Sequence, residues 1–205
     1  MSFNISEFKS QFDRYGGPAM SNLFSVQVTL PPQLRARIQP TENNAFNMSH
    51  TFTFFCYKMD IPAIGINTSD VSYVGQMKRK HPTRVQNPGP MSASFFVDSD
   101  HHVLRFFHAW AQNIINYNKG NNAFAEVDGK LPHEVGFKND FACDMIIKHY
   151  STDSYPGVYY ETKLQGVWPV SIGALSLDWS TKTALSLDVQ FTVTDMSFDG
   201  AKSGR

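Results

Sequence analysis

The densest polar cluster in the sequence is Asp98-Ser99-Asp100-His101-His102, with His108 beyond it. Carboxylate and imidazole ligands of this kind can bind Zn or Fe, and the start of a helix can hold them. The spacing argues against such a site. Helical ligand pairs need i and i+3 or i+4, whereas adjacent histidines diverge by about 100° and His108 lies six residues past His102. A capping turn with solvated histidines is the simpler reading. The basic cluster Lys78-Arg79-Lys80-His81, with Arg84, places four fixed charges and a His within seven residues, enough to contact phosphate. It lacks interleaved aromatics for base stacking, so a solvated loop or a charge-matched protein contact is expected. Cys56 and Cys143 sit in the β-like runs FTFFCYKM and FACDMIIKHY and read as buried thiols. No Gly-x-Ser-x-Gly elbow, phosphate loop, His-Glu-x-x-His or Cys-x-x-Cys is present. No catalytic residue, metal ligand or cofactor is therefore nominated. Trp110 reads as core, and Trp168 and Trp179 are expected to pack across a sheet rather than stack on a sugar.

Composition bounds the function classes. In 205 residues, 41% are hydrophobic and 14% aromatic, too apolar and too aromatic for a disordered chain. Eighteen basic against eighteen acidic residues give no net charge, which offers no overall attraction to a polyanion. No apolar run approaches the roughly 20 residues of a membrane span, and the first thirty residues lack a signal-peptide core. A soluble chain made without Sec export is expected.

The elements that would position these groups are mainly strands. NISEFKSQF reads as a short helix capped by Ser6, and LFSVQVTL as a half-buried strand whose Phe24, Val26, Val28 and Leu30 alternate with polar residues. TFTFFCYKM (51–59), SASFFVD (92–98), 141–150, 158–166 and 185–194 read as further strands, and 64–84 as a two-stranded hairpin. VWPVSIGALSLDWS reads as a Pro/Gly turn and a short strand ending at Trp179. Over 100–117 the period changes to 3.6: Val103, Phe106, Phe107, Trp110, Ile114 and Tyr117 define a helix capped by Ser99 or Asp100. Residues 33–50 and 118–140 are aperiodic and insertion-like, and the tail from Phe198 is expected to fray. The expected organisation is an arm over 1–20, one β-rich domain over 21–197 and a flexible tail over 198–205. Phe106, Phe107, Trp110, Ile114, Trp168 and Trp179 are the expected core.

Six segments in order resemble one known family. They are Ser21-Asn22-Leu23-Phe24-Ser25-Val26, the aromatic second strand with its Ile61-Pro62-Ala63 exit, and the hairpin around Lys78-Arg79-Lys80. Phe96-Val97-Asp98-Ser99-Asp100 then runs into a helix with Phe107 and Trp110. Gly166-Val167-Trp168-Pro169 is followed by Gly173-Ala174-Leu175-Ser176-Leu177-Asp178-Trp179 and a terminal alternating strand. Across residues 20–194 this pattern is similar to the tail tube proteins of contractile-tailed bacteriophages, a family that includes the baseplate tube initiator.

The resemblance implies a mainly β fold with one long helix, a β-sandwich or small barrel flanked by that helix, assembling into a hexameric ring. Rings would stack into a tube for DNA ejection in the virion tail, assembled in the host cytoplasm. Implied partners are further copies of the chain, sheath, baseplate or tail-terminator proteins, and DNA in transit, with no cofactor and no membrane insertion. A hairpin carrying Val71, Tyr73, Lys78, Arg79, Lys80 and Arg84 would make the ring-to-ring contact. Ser186, Asp188, Gln190, Thr192 and Thr194, on the face opposite Leu187, Val189, Phe191 and Val193, would line the lumen. The long loops and extended tail leave a main tube subunit and a baseplate initiator as alternatives. A free-standing β-sandwich binding module using Trp168 or Trp179 is the competing class, and an enzyme using Asp98, Asp100 and His102 comes third.

Overall fold

The structure, a computed structural model, describes residues 4–14, 18–32, 34–35, 53, 55–72, 77–86, 88–117, 133–151, 158–180 and 182–200. Of the insertion-like stretches 33–50 and 118–140, residues 36–50 and 118–132 lie outside the described residues, and the end of the second is not loop but a short helix from Lys138 to Phe141. Helix α1 (Ile5–Arg14) is capped by Asn4, whose Oδ1 accepts the Ser6 N–H at 3.1 Å and the Ser6 hydroxyl at 2.6 Å. The cap is thus two residues earlier than the Ser6 expected from sequence.

Strands β1 (Phe24–Thr29), β2 (Cys56–Met59), β3 (Ile66–Val71), β4 (Arg79–Val85) and β5 (Met91–Phe96) precede helix α2 (His102–Ile114). The short helix α3 (Lys138–Phe141) and strands β6 (Cys143–Tyr150), β7 (Val158–Ile172), β8 (Ser186–Thr192) and β9 (Asp195–Gly200) complete the described chain. All strand pairings are antiparallel. Seven strands form one sheet in the order β1-β6-β7-β8-β5-β2, with β9 added beside β7, while β3 and β4 form a separate two-stranded sheet.

Four local readings are corrected. In the second run, expected as a strand over 51–59, Thr53 and Phe55 are helical and strand β2 begins at Cys56. Residues 168–172, expected to turn at Pro169, continue β7 to a length of 15 residues. Here β7 is hydrogen-bonded to β8 and to no strand on its other flank among the described residues, so a proline without an N–H fits. Residues 173–178 are not a strand. Residues 198–200, expected to fray, belong to β9, which pairs with Tyr160–Gln165. Its alternation of exposed Asp195, Ser197 and Asp199 with half-buried Met196 and Phe198 is a period-2 pattern masked by its polarity.

Strand β7 is shared by two four-stranded layers, β1-β6-β7-β9 and β7-β8-β5-β2. It changes partners at Gly166, whose φ of +61° an L-residue rarely adopts. A Cβ there would stand 2.6 Å from the Thr194 hydroxyl. That hydroxyl donates to the Gly166 carbonyl at 2.9 Å and accepts from Lys138 Nζ at 2.8 Å, and the Gly166 N–H donates to Asp144 at 3.2 Å. Glycine at the switch and register shifts on both sides are the devices by which a strand passes from one layer to another.

The core is filled from both layers and from α2. Val26, Met145, Ile147, Leu164, Leu187, Val189 and Phe191 are buried with Phe106, Phe107, Trp110 and Ile114. The Trp110 ring lies 6.0 Å from Phe191 and 5.5 Å from Phe106, and its Nε1–H donates to the Phe141 carbonyl at 2.8 Å. That bond satisfies the polar atom that burial of a tryptophan would otherwise strand. Trp168 is half-buried, edge-on to Phe141. Trp179 is not core: its side chain is wholly exposed, because the segment carrying it leaves the sheet after Ile172.

Candidate functional site

Along β8 the pattern alternates without a break, with Leu187, Val189 and Phe191 inward and Ser186, Asp188 and Gln190 exposed. Thr192 is half-buried, and Thr194 lies past the strand in the Gly166 corner rather than on this face. The neighbouring strands repeat the alternation in register: Ser92 is opposite Gln190, Ser94 opposite Asp188, and Lys58 opposite Ser94. On the other side Ser171 is opposite Gln190. The outer face of β7-β8-β5-β2 is therefore short and polar along β8, with Lys58 and the exposed rings of Tyr57 and Phe96 towards β2. Asp188 does not stand free on it, since the Ser94 hydroxyl donates to its carboxylate at 2.5 Å. Gly173 holds the loop against this strand: its N–H donates to the Asp188 carbonyl at 2.7 Å, which is also where an added Cβ would collide.

The basic residues are carried by the β3-β4 hairpin. Asp70 is opposite Lys80 and Val71 opposite Arg79, with a bulge between Asn67 and Thr68 that Thr83 bridges by donating to the Asn67 carbonyl at 2.9 Å. Every residue of β4 is exposed, as are Ile66, Met77 and Lys78. Tyr73 lies outside the described residues. A two-stranded hairpin that buries nothing is marginal by itself, and opposed charges such as Asp70 and Lys80 add only tenths of a kcal/mol to about 1. Among the described residues, only Lys80 of its four cations stands opposite a carboxylate, Asp70, and Ile66, Met77 and Val85 remain exposed.

A cleft of about 330 Å³ is lined by the edge strands β1 and β2, with β6 behind. Phe24, Tyr57, Met59, Ile61 and Ile147 give it an apolar lining. Tyr57 also stacks on Phe96 on the outer face, ring centroids 4.2 Å apart.

The Asp/His cluster is structural. Asp98, rather than Ser99 or Asp100, caps α2 by accepting the His102 and Val103 N–H groups, both at 3.1 Å, and its carboxylate meets His102 Nδ1 at 2.7 Å. Partial burial raises the Asp98 pKa, but these hydrogen bonds outweigh it and hold the carboxyl below its ordinary value. His101 takes a left-handed φ of 55° at the turn. Among the described residues no group of three or more His, Cys, Asp and Glu could hold a metal ion. Burial pushes the Cys56 thiol up to about 12 and Cys143 well above its usual value, so neither is a ready nucleophile. Among the described residues no helix is long and apolar enough to cross a membrane.

The geometry thus consists of edges, an exposed hairpin and a polar sheet face, carried on a fold that solved structures share. The chain is similar to a component of an extracellular contractile injection system, the PVC sheath-tube complex in its extended state. That match has 12% identity and a TM-score of 0.56, and covers 98% of this chain and 100% of the other. It is also similar to a chain of the six-fold symmetrised anti-feeding prophage baseplate (15%, 0.58, 90% and 97%). A third match is the anti-feeding prophage tube terminating cap (14%, 0.53, 90% and 92%). At these identities the likeness establishes the fold. No curated protein sequence matches. The family assignment comes from the sequence itself: residues 19–198 match the model for phage tail tube proteins, and the chain belongs to that family.

Proposed function

We propose that this tail tube protein works as the subunit of a hexameric ring, with rings stacked into a non-enzymatic conduit for DNA within a virion tail. The observation that carries the reading is the β3-β4 hairpin, a separate sheet in which every residue of β4, Ile66 and Met77 are exposed. Such an element is stabilised only by what it docks on, and in a homopolymer that is the next ring. Val71, Lys78, Arg79, Lys80 and Arg84, with Tyr73, are its contact residues.

The polar face of β8 faces the lumen in this reading. Ser186, Asp188, Gln190 and Thr192 offer a phosphate backbone no positive charge, and a ring of Asp188 carboxylates repels it weakly, screened beyond about 8 Å at physiological salt. Among the described residues β2 and β9 pair with a strand on one flank only, and neighbouring copies cover those edges, as an exposed edge must be. Sheath, baseplate and terminator proteins are the outer partners, as the assemblies containing the structural neighbours suggest.

Deleting Val71–Lys80 tests this. The variant is expected to fold, by circular dichroism, and to form no tubes in negative-stain microscopy. Long tubes from the deletion variant would remove the hairpin from the stacking contact. Wild-type protein that stays monomeric at every concentration would overturn the ring.

A further inference from the structure

Three facts about the segment after β7 belong together. The Trp179 side chain is wholly exposed, Leu177 is 80% exposed, and Val170 on the adjoining free flank of β7 is 56% exposed. The Trp179 loop is nevertheless ordered from within. The Ser180 N–H and hydroxyl both donate to the Asp178 carboxylate, at 2.9 and 2.8 Å, and Gly173 ties the loop's start to β8. A braced loop that holds a tryptophan in water fits the description of an interface anchor, because each bond already made reduces the ordering entropy lost on docking.

The layer β7-β8-β5-β2 has two lateral ends. One is the free flank of β7, from which the Trp179 loop departs, and the other is β2, which lines the 330 Å³ cleft. Placing copies side by side around a ring brings the first end of each against the second end of the next, the head-to-tail contact that closes cyclic assemblies. We infer that the Trp179 loop of one copy docks into the cleft between β1 and β2 of its neighbour, an inference that rests on the ring reading above.

Size and chemistry agree. The cleft is at the small end of the roughly 300–1,000 Å³ typical of binding pockets, suited to one large side chain. Its apolar lining suits an indole face, and Asn22 and His149 on its wall can accept from the indole N–H. Charge is matched as well: among the described residues the cleft is lined by Lys58 and by no carboxylate, while the loop carries Asp178 beside the tryptophan. Lys58 can pair with Asp178 and lie over the indole face. A cleft in the same copy is not the acceptor, since Trp179 is exposed in the single chain.

The test uses the full chain, measuring assembly by light scattering and microscopy and Trp179 burial by acrylamide quenching, with Trp179→Phe as the reference. Assembly is expected to protect Trp179 from quencher. Trp179→Ala is expected to melt like wild type as a dispersed subunit and to need about tenfold more protein to assemble, a loss of about 1.4 kcal/mol. Lys58→Glu should impair assembly similarly, and adding Asp178→Lys should restore it. Rings in which Trp179 remains as quenchable as in dispersed subunits, or Trp179→Ala assembling at the wild-type concentration, would overturn the docking and leave the ring standing. Failure of the charge swap to restore assembly would overturn the Lys58–Asp178 pairing. Wild-type protein that forms no ring would overturn both readings.

Discussion

Gly166→Ala should be far more damaging than the addition of one methyl group suggests. Two separable penalties meet at this position. An L-residue held at the left-handed φ of +61° costs about 1–2 kcal/mol. The new Cβ also arrives 2.6 Å from the Thr194 hydroxyl and 3.1 Å from its Cβ, so Thr194 must move. Moving it breaks the bond to the Gly166 carbonyl and the one from Lys138, at about 0.5–1.5 kcal/mol each and at the low end for so exposed a pair. The expected total is about 2–4 kcal/mol, which for a chain of this size lowers the melting temperature by roughly 5–15 °C. Thermal melting of the dispersed subunit measures it. Repeating the substitution in a Thr194→Ala background separates the terms: the hydroxyl collision disappears, the Cβ contact stays, and the cost should fall towards the backbone value. A Gly166→Ala protein melting within a degree of wild type, or the same cost in both backgrounds, would refute the reasoning.

Trp110→Ala should cost about 3–5 kcal/mol by calorimetry, because it empties the ring cluster around Phe106 and Phe191 and orphans the Phe141 carbonyl. Against a typical total of about 5–15 kcal/mol this threatens folding, and melting within two degrees or so of wild type would show the ring is not needed. The Asp98 cap predicts an acid-dependent term. Its folded-state pKa is depressed, so the unfolded chain binds the proton more readily; the stabilisation is complete above the ordinary value of 3.8 and lost as pH falls through the lowered one. Asp98→Asn should flatten that part of a denaturant-midpoint titration, and an unchanged slope would refute the assignment.

What could be read from the sequence was whatever depended on period. The alternation of Leu187, Val189 and Phe191 and the 3.6-residue spacing of Val103, Phe106, Phe107 and Trp110 are each imposed by one buried face. What escaped depended on partners distant in sequence. Pro169 looks like a turn residue until the other flank of β7 is known to be free. Asp195–Gly200 looks too polar to pair until Tyr160–Gln165 is beside it. Trp179 was expected to be core because its size argues for burial, and only the tertiary path showed it stranded in water. The same limit hid the cleft, whose walls come from segments around residues 22, 58 and 148.

Strand β7 also has a mechanical meaning. Its 15 residues form a single covalent tie through both layers, gripped by β6 and β9 over one half and by β8 over the other. A pull along this strand loads its ladders in shear, where many hydrogen bonds must give way together, whereas a pull across an edge strand peels them one at a time. Load along β7 is therefore resisted by the ladders of both layers together, and Gly166 is the point at which the loaded strand passes from one layer to the other. Force entering at one layer travels through backbone bonds to the other without first having to cross the side-chain packing of the core.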